Sequence, residues 1–289
     1  KLAYKKKTQW FQQIVFLMKK WIQERLKNQT KLITIFLLLL ISSLKCYSQK
    51  NVEQSVLNDL NKTLDLAYDN EITKQTKIDS LEKYFIKLNA IEDDSTRLRN
   101  KFKILNRLVY INNARLEKKY INKVKDEALD NKNQHSLAKA YNYLGDFYLK
   151  NFILDSALYY VNKSEKIFLK KRDSIYLSYC YSSKAGIYTQ INDYNKALQY
   201  NFKSLEQSKK TDLFEPIFFA YQGIYKTLGE LDNENKAFEY YQKALRILKN
   251  RASELGVYNY SLKAQAHNYM GSVFLKAENY SKAQELYQK

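Results

Sequence analysis

Residues 178–211 have the sequence SYCYSSKAGIYTQINDYNKALQYNFKSLEQSKKT, in which a short turn separates two helical patterns. In the first pattern, Tyr181, Ala185 and Tyr188 recur at helical spacing and therefore share one face. Ala197 holds the corresponding place in the second pattern, so each helix has a small residue where the two would cross. A helix pair of this length cannot bury both of its faces alone, and it therefore needs stacked neighbours.

The pattern recurs once before this stretch and twice after it, at offsets of 40, 40 and 46 residues. Four copies in phase predict a solenoid, in which each helix pair is stacked on the next. The recurring residues are Leu144-Gly145, Tyr148 and Ala157; Ala185, Tyr188, Asn192-Asp193-Tyr194 and Ala197; Ile224, Tyr225, Leu228, Ala237, Tyr241 and Ala244; and Met270-Gly271, Phe274, Asn279-Tyr280 and Ala283.

These residues resemble the tetratricopeptide repeat, a family built from helix–turn–helix units of about 34 residues. The resemblance covers residues 138–289 and implies an all-α fold, an α-α superhelix of antiparallel helix pairs. The sequence departs from the family at Lys184, where an apolar residue is usual, and at Tyr225, where a small one is. The repeat is also longer than the family's, which indicates longer helices and longer links between them.

The segment before the repeats is also expected to be helical. With only 6 Gly and 1 Pro among 289 residues, the chain has few residues that interrupt a helix. Residues 49–92 predict two helices, over residues 52–68 and 71–88. Because these helices lack the repeat signature, we expect them to form an N-terminal cap with a polar outer face.

Residues 93–137 keep the period of the repeats but lose their close-packing signature. Leu105 and Glu117 occupy the places that small residues hold elsewhere, which predicts a degenerate repeat beside the cap. At the other end, the fourth repeat stops at Lys289, within its second helix. We therefore expect the last repeat to be truncated and the natural protein to continue beyond it.

Residues 1–48 have the plan of an export leader, with Met18 as the expected start. A basic segment, an apolar run over residues 32–44 and a small polar end follow, and cleavage is expected after Ser48. The run is shorter than the roughly 20 residues that span a membrane. A retained membrane anchor is the alternative, and lipidation of Cys46 is another. Either way, the protein is expected to be exported across the inner membrane, and to be periplasmic or membrane-attached.

The formal net charge of +19 raises the possibility of nucleic-acid binding. Much of this excess lies in the leader, whose one acidic residue is Glu24. The other lysines alternate with Glu and Asp on the predicted helix faces and form no continuous stripe. Because basic charge alone specifies little, no nucleic-acid partner is expected, and nucleic-acid binding is kept as a third hypothesis.

The sequence contains no recognisable arrangement for catalysis or metal binding. His135 and His267 are far apart, and no Cys/His cluster has metal-ligand spacing. The glycines are isolated, so none forms a phosphate-binding loop, and the serines lack an oriented general base. Cys180 is expected to be a small buried hydrophobe, with a reactive thiol as the alternative. We therefore expect no enzyme activity, no cofactor and no metal.

The family resemblance implies a concave groove lined by residues one, four and eight places after the start of each repeat. Short amides and hydroxyls there would hydrogen-bond the backbone of an extended peptide without demanding its sequence. Aromatic residues would add apolar anchors, although polar residues also occur wherever a surface is wet. The candidate peptide-binding residues are Asn142, Asp146, Tyr179, Ser182, Phe219, Gln222, Lys226 and Asn268, and the same positions include Lys139, Gly186, Gln265 and Ser272.

The leading hypothesis is a non-enzymatic scaffold that binds a protein or peptide partner outside the cytoplasm. The second is a sensory module of a longer signalling protein, either a histidine kinase or a transcriptional regulator. In that case a membrane span and an output domain would follow residue 289. Contact with a membrane is expected only through such a span or through an uncleaved leader.

Overall fold

The computed structural model describes residues 18–20, 53–66, 69, 71–211, 213–250 and 257–289, with side chains in the last stretch from residue 260. The chain divides into two compact units, Lys1–Asp65 and Leu66–Lys289. The first unit contains nearly all of helix α1, residues 53–66, in which Leu60 and Leu64 are buried. The predicted cleavage after Ser48, the lipidation of Cys46 and the apolar run of the leader lie outside the described residues.

The second unit is a succession of helices joined by short turns, and no strand occurs in the described part of the chain. The prediction of an all-α fold built from antiparallel helix pairs is therefore confirmed. The helices are α2 (Lys74–Lys87), α3 (Asp94–Ile111), α4 (Ala114–Asp130), α5 (Gln134–Lys150), α6 (Leu154–Lys171), α7 (Ser174–Gln190), α8 (Tyr194–Ser208), α9 (Phe214–Glu230), α10 (Glu234–Asn250), α11 (Val257–Lys276) and α12 (Tyr280–Tyr287), with a 3₁₀ turn over Leu88–Ala90.

Most turns use the same two-residue device. A residue in the left-handed conformation ends one helix, and the residue after it caps the next. At the turn between α7 and α8, Asn192 has φ 60° and the side chain of Asp193 accepts a hydrogen bond from the Lys196 N–H at 3.1 Å. Asn and Asp suit both roles, because they tolerate the left-handed region and satisfy a free N–H at the helix start. The same pairing occurs at Asn112-Asn113, Lys132-Asn133, Arg172-Asp173, Asp232-Asn233 and Glu278-Asn279.

The turn between α5 and α6 keeps the left-handed residue but lacks the side-chain cap, and both of its residues are apolar. Phe152 has φ 59°, and its ring is 72% exposed. Ile153, at the N-cap of α6, makes no side-chain capping bond and is also exposed. Two apolar residues therefore stand where every other turn with a described capping pair has at least one Asn or Asp.

The small residues lie where the helices of each pair cross, as predicted. Ala157, Ala185 and Ala197 are almost fully buried. A Cβ added at Gly145 would lie 2.4 Å from Val161 Cγ2, so only glycine fits against α6 at that point. At Gly145 the backbones of α5 and α6 therefore approach each other closely.

Both departures from the family have a local explanation. Lys184 is buried, but its Nζ lies 2.5 Å from Glu165 Oε2 on α6, so the charge taken into the core is paired. Tyr225 is fully buried and packs edge-on against Tyr241, with ring centroids 6.0 Å apart. Gly229, one turn along α9, leaves the space that Tyr269 fills beside it. The larger ring at position 225 is therefore accommodated by a missing side chain nearby.

Helix α2 packs against α3 at the N-terminal end of the second unit. It begins at Lys74 and not at the predicted residue 71, because the Thr73 side chain caps it by accepting the Thr76 N–H at 3.2 Å. Its buried residues are Ile78, Leu81 and Phe85, which recur at helical spacing on one face. In α4, within the region predicted to be a degenerate repeat, Glu117 is buried and lies 3.4 Å from Lys150 Nζ.

Candidate functional site

The first helices of successive repeats form one continuous wall. Helix α3 contacts α5, α5 contacts α7, α7 contacts α9 and α9 contacts α11. Within the described part of the chain, consecutive second helices make no comparable contact. Helices touch one another on the inside of a curved stack and diverge on the outside, so the first helices line the concave side. We call the exposed side of this row the inner wall.

Side-chain hydrogen bonds link neighbouring helices of the inner wall. Ser183 Oγ on α7 donates to Asp146 Oδ1 on α5 at 2.5 Å. Tyr269 OH on α11 donates to the Lys226 carbonyl oxygen on α9 at 2.7 Å. These bonds fix the spacing between adjacent first helices, so the wall is held in shape before any ligand arrives.

The eight candidate residues all lie on first helices, but they differ in how far solvent reaches them. Asn142 is buried: its Nδ2 donates to Asp146 Oδ2 at 3.1 Å, and its Oδ1 has no hydrogen-bond partner among the described residues. Phe219 is half-buried and packs against the hydrophobic core of the last repeats. Each of the other six presents some side-chain surface to solvent: Tyr179, Ser182 and Gln222 are half-buried, whereas Asp146, Lys226 and Asn268 are exposed.

A cluster of Phe102, Lys139 and Tyr176 lies beside these residues. Of the three, only Lys139 was named from the sequence. Lys139 Nζ lies 4.3 Å from the centroid of the Phe102 ring and 5.0 Å from that of Tyr176. Burial and, to a lesser extent, the nearby positive charge of Arg99 lower the pKa of Lys139 to about 8. Phe102 lies 40 residues before Asn142, so extending the repeat offset into the degenerate repeat would have located it.

Asp146 is the carboxylate of the inner wall with the most distinctive surroundings. It is exposed, and no lysine, arginine or histidine nitrogen of the described residues lies within 4.0 Å of its oxygens. Crowding by protein atoms raises its pKa to about 6, an effect that the Ser183 hydrogen bond opposes and the charge of Glu117 increases. Water still reaches the group, so screening makes the energetic cost of its charge smaller than in a closed core.

Packing explains the surroundings of two further titratable residues on the first helices, Cys180 and His267. Cys180 is buried, and burial raises the pKa of its thiol to about 12, which keeps the thiol protonated at neutral pH. His267 is half-buried and shares a 2.5 Å hydrogen bond with Tyr241 OH. The described residues contain no cluster of three or more potential metal ligands. In the same part of the chain, every helix is too short or too polar to span a bilayer.

Neither the family models nor the curated proteins include a match to this sequence. Solved structures do match. Aspartyl phosphate phosphatase F from Bacillus subtilis has a TM-score of 0.57 and 12% identity, over 81% of this chain and 67% of that one. A putative kinesin light chain from Podosopora anserina with nearly identical TPR-like repeats has a TM-score of 0.50 and 16% identity, over 68% and 94%.

A third similar structure is a signal transduction ATPase with numerous domains (STAND) from Pyrococcus horikoshii, which has a tetratricopeptide repeat sensor. Its TM-score is 0.56 at 20% identity, over 72% of this chain. The match covers 31% of that protein, so this chain spans about a third of its length. At these identities the three similarities establish a common fold and say nothing further about activity.

Proposed function

We propose that this chain, which has the tetratricopeptide-repeat fold, is a binding scaffold that holds an extended segment of another protein on its inner wall. The observation that supports this most directly is the row of solvent-accessible polar and aromatic side chains on consecutive first helices. Ser182, Gln222 and Asn268 recur at one position of α7, α9 and α11, and Tyr179 lies one turn before Ser182.

The chemistry of this row suits an extended backbone. An extended chain has N–H groups and carbonyl oxygens that no secondary structure satisfies. Amides supply both a donor and an acceptor, and a hydroxyl can act as either, so the row can pair with such a backbone whatever its side chains are. Tyr179 adds a half-buried ring, the kind of residue that contributes most to interface energies.

The proposal also includes where in the cell the protein works. The charged, apolar and small-residue plan of residues 1–48 supports export, so the scaffold would work outside the cytoplasm. N-terminal sequencing of protein recovered from the periplasm is the direct test. A mature chain that begins at Gln49 would support the proposal, whereas full-length protein retained in the cytoplasm would contradict it.

A sensory role is the second candidate. It is favoured by the similarity to a structure whose repeats are described as a sensor within a signal-transduction protein. In that case the inner wall would bind the signal, and an output domain would lie elsewhere on the same polypeptide. Determining the complete reading frame distinguishes the candidates: a kinase or DNA-binding domain favours a sensor, and its absence favours a free scaffold.

Binding can be tested without knowing the natural partner. A random-peptide display library is selected on the immobilised protein, and the enriched peptides are measured by calorimetry. We expect Tyr179→Ala combined with Gln222→Ala to weaken binding about tenfold or more. Tyr159→Ala, which removes an exposed ring from the second helix α6, is the matched control and should leave affinity unchanged. Equal losses in both variants would refute the assignment to the inner wall.

A further inference from the structure

We infer, on the basis of the proposed function, that Asp146 is a subsite for a lysine or arginine side chain of the bound segment. Asp146 lies on α5, and its carboxylate is exposed on the inner wall. Each of its oxygens already accepts one hydrogen bond, Oδ1 from Ser183 Oγ and Oδ2 from Asn142 Nδ2. A carboxylate has about four lone-pair positions, so each oxygen can accept another bond.

The two internal donors orient the carboxylate without cancelling its charge. A hydroxyl and an amide are neutral, so Asp146 keeps a full negative charge when it is ionised. Because Ser183 and Asn142 are both buried, the position of the carboxylate is fixed from two helices at once. A charge held in place in this way costs a ligand less ordering entropy than a freely rotating one.

Asp146 differs from four less exposed carboxylates of the second unit in having no cation or histidine beside it in the described part of the chain. These four carboxylates have an internal cation or a histidine beside them: Glu117 has Lys150 at 3.4 Å, Glu127 has Lys101 at 2.5 Å, Glu165 has Lys184 at 2.5 Å and Asp173 has His135 at 3.1 Å. Asp146 has no such partner within 4.0 Å among the described residues. The fold therefore gives these four carboxylates a partner of their own, whereas the charge of Asp146 stays open to a cation from outside the chain.

The surroundings of Asp146 favour an organic cation over a metal ion. The other titratable groups that influence it are Glu117, which is paired with Lys150, and Tyr143 and Cys180, which are neutral at pH 7. Only one carboxylate is therefore available, and Mg²⁺ or Ca²⁺ needs several oxygen ligands. Leu149, whose Cδ2 lies close to Gly186 on α7, is half-buried one turn along α5. The aliphatic stem of a lysine or arginine can pack on such an apolar surface.

The experiment uses the displayed peptides that bind the wild-type protein. We expect them to share a lysine or arginine at one aligned position. Replacing that residue by glutamine should lower affinity for the wild-type protein about tenfold or more. The same replacement should have little effect on binding to Asp146→Asn, because the cation then has no carboxylate to pair with. Asp126→Asn, at an exposed aspartate of α4, is the matched control and should behave like wild type.

The outcomes separate the subsite from the proposed function. Peptides that bind without a shared cation, or that lose equal affinity for wild type and Asp146→Asn on the glutamine replacement, would overturn the subsite and leave the scaffold intact. A wild-type protein that retains no peptide would overturn both. Because the glutamine replacement is made in the peptide, the comparison does not depend on how well a protein variant folds.

Discussion

Through the ionisation of its carboxylate, the single residue Asp146 should make the affinity for the proposed peptide ligand depend on pH. Its pKa of about 6 means that the carboxylate is largely ionised at neutral pH and largely protonated at pH 5. A protonated carboxyl cannot pair with a lysine or arginine. We therefore expect the affinity for cation-containing peptides to fall as the pH drops from about 7 to about 5.

The measurement is calorimetric titration of one selected peptide over this pH range, with wild type and Asp146→Asn compared. The variant should bind weakly and with little pH dependence. A wild-type affinity that stays constant between pH 7 and pH 5 would show that the charge of Asp146 does not contribute to binding.

The same residue predicts how stability depends on pH. A carboxyl whose pKa is higher in the folded than in the unfolded state binds protons more tightly when folded, so its effect on stability becomes more favourable as pH falls. Asp146→Asn removes an unpaired charge and should therefore be at least as stable as wild type at pH 7. Its advantage should shrink between about pH 6 and pH 4. Urea unfolding at several pH values tests this, with Asp126→Asn as the control.

Gly145 provides a test of the close helix crossing. Replacing it by alanine places a Cβ 2.4 Å from Val161 Cγ2, and overpacking of this kind costs about 1–3 kcal/mol. At Gly186 the same change meets only the terminal Leu149 Cδ2, at 2.9 Å, a contact that a small side-chain movement relieves. Thermal or urea unfolding should show a clear loss for Gly145→Ala and a much smaller one for Gly186→Ala. Equal effects would argue against a tight crossing at Gly145.

At the scale of the helices and turns, one substitution at the junction between α5 and α6 should make the protein more stable. Ile153 caps α6 without a side-chain hydrogen bond, whereas Asp193 caps α8 with one. Ile153→Asp should therefore raise the free energy of unfolding by about 1 kcal/mol. Asp193→Ala should lower it by a similar amount. Urea unfolding of the two variants measures both, and an Ile153→Asp variant that is no more stable than wild type would contradict the capping argument.

The helix pattern was predictable from sequence because it depends on local signals. The spacing of Ala185, Tyr188 and Ala197 predicted two helices and their crossing point, and the Asn-Asp turn between them predicted the boundary. The start of α2 was predicted three residues too early, because the signal there is the hydroxyl of Thr73 and not a change in hydrophobicity. Local signals therefore locate helices well and their ends less well.

The partners of individual charges were not predictable in the same way. Lys184 pairs with Glu165, 19 residues away on another helix. Asp146 accepts a hydrogen bond from Ser183, which lies on the first helix of the next repeat. Several residues of each helix could have made such contacts, and only the packed geometry selects among them. For the same reason the sequence placed Asn142 among exposed ligands, whereas the fold buries it beneath Asp146.

At the scale of the whole second unit, the arrangement explains how the proposed binding residues of different repeats come to lie on one surface. The contacts between first helices bring α5, α7, α9 and α11 into one wall, although their residues are 40 or more positions apart in sequence. Because each repeat contacts mainly its neighbours, a change in one repeat should alter the wall locally and leave distant repeats intact. The four-part division of the chain into leader, cap, degenerate repeat and regular repeats remains a prediction.

The most direct test of the inner wall as the binding surface is photo-crosslinking with a selected peptide that carries a benzophenone group. Mass spectrometry of the crosslinked protein identifies the helices that the peptide contacts. Our proposal predicts crosslinks on α5, α7 and α9, close to Asp146, Tyr179 and Gln222. Crosslinks confined to α6, α8 and α10, on the opposite side of the stack, would contradict it.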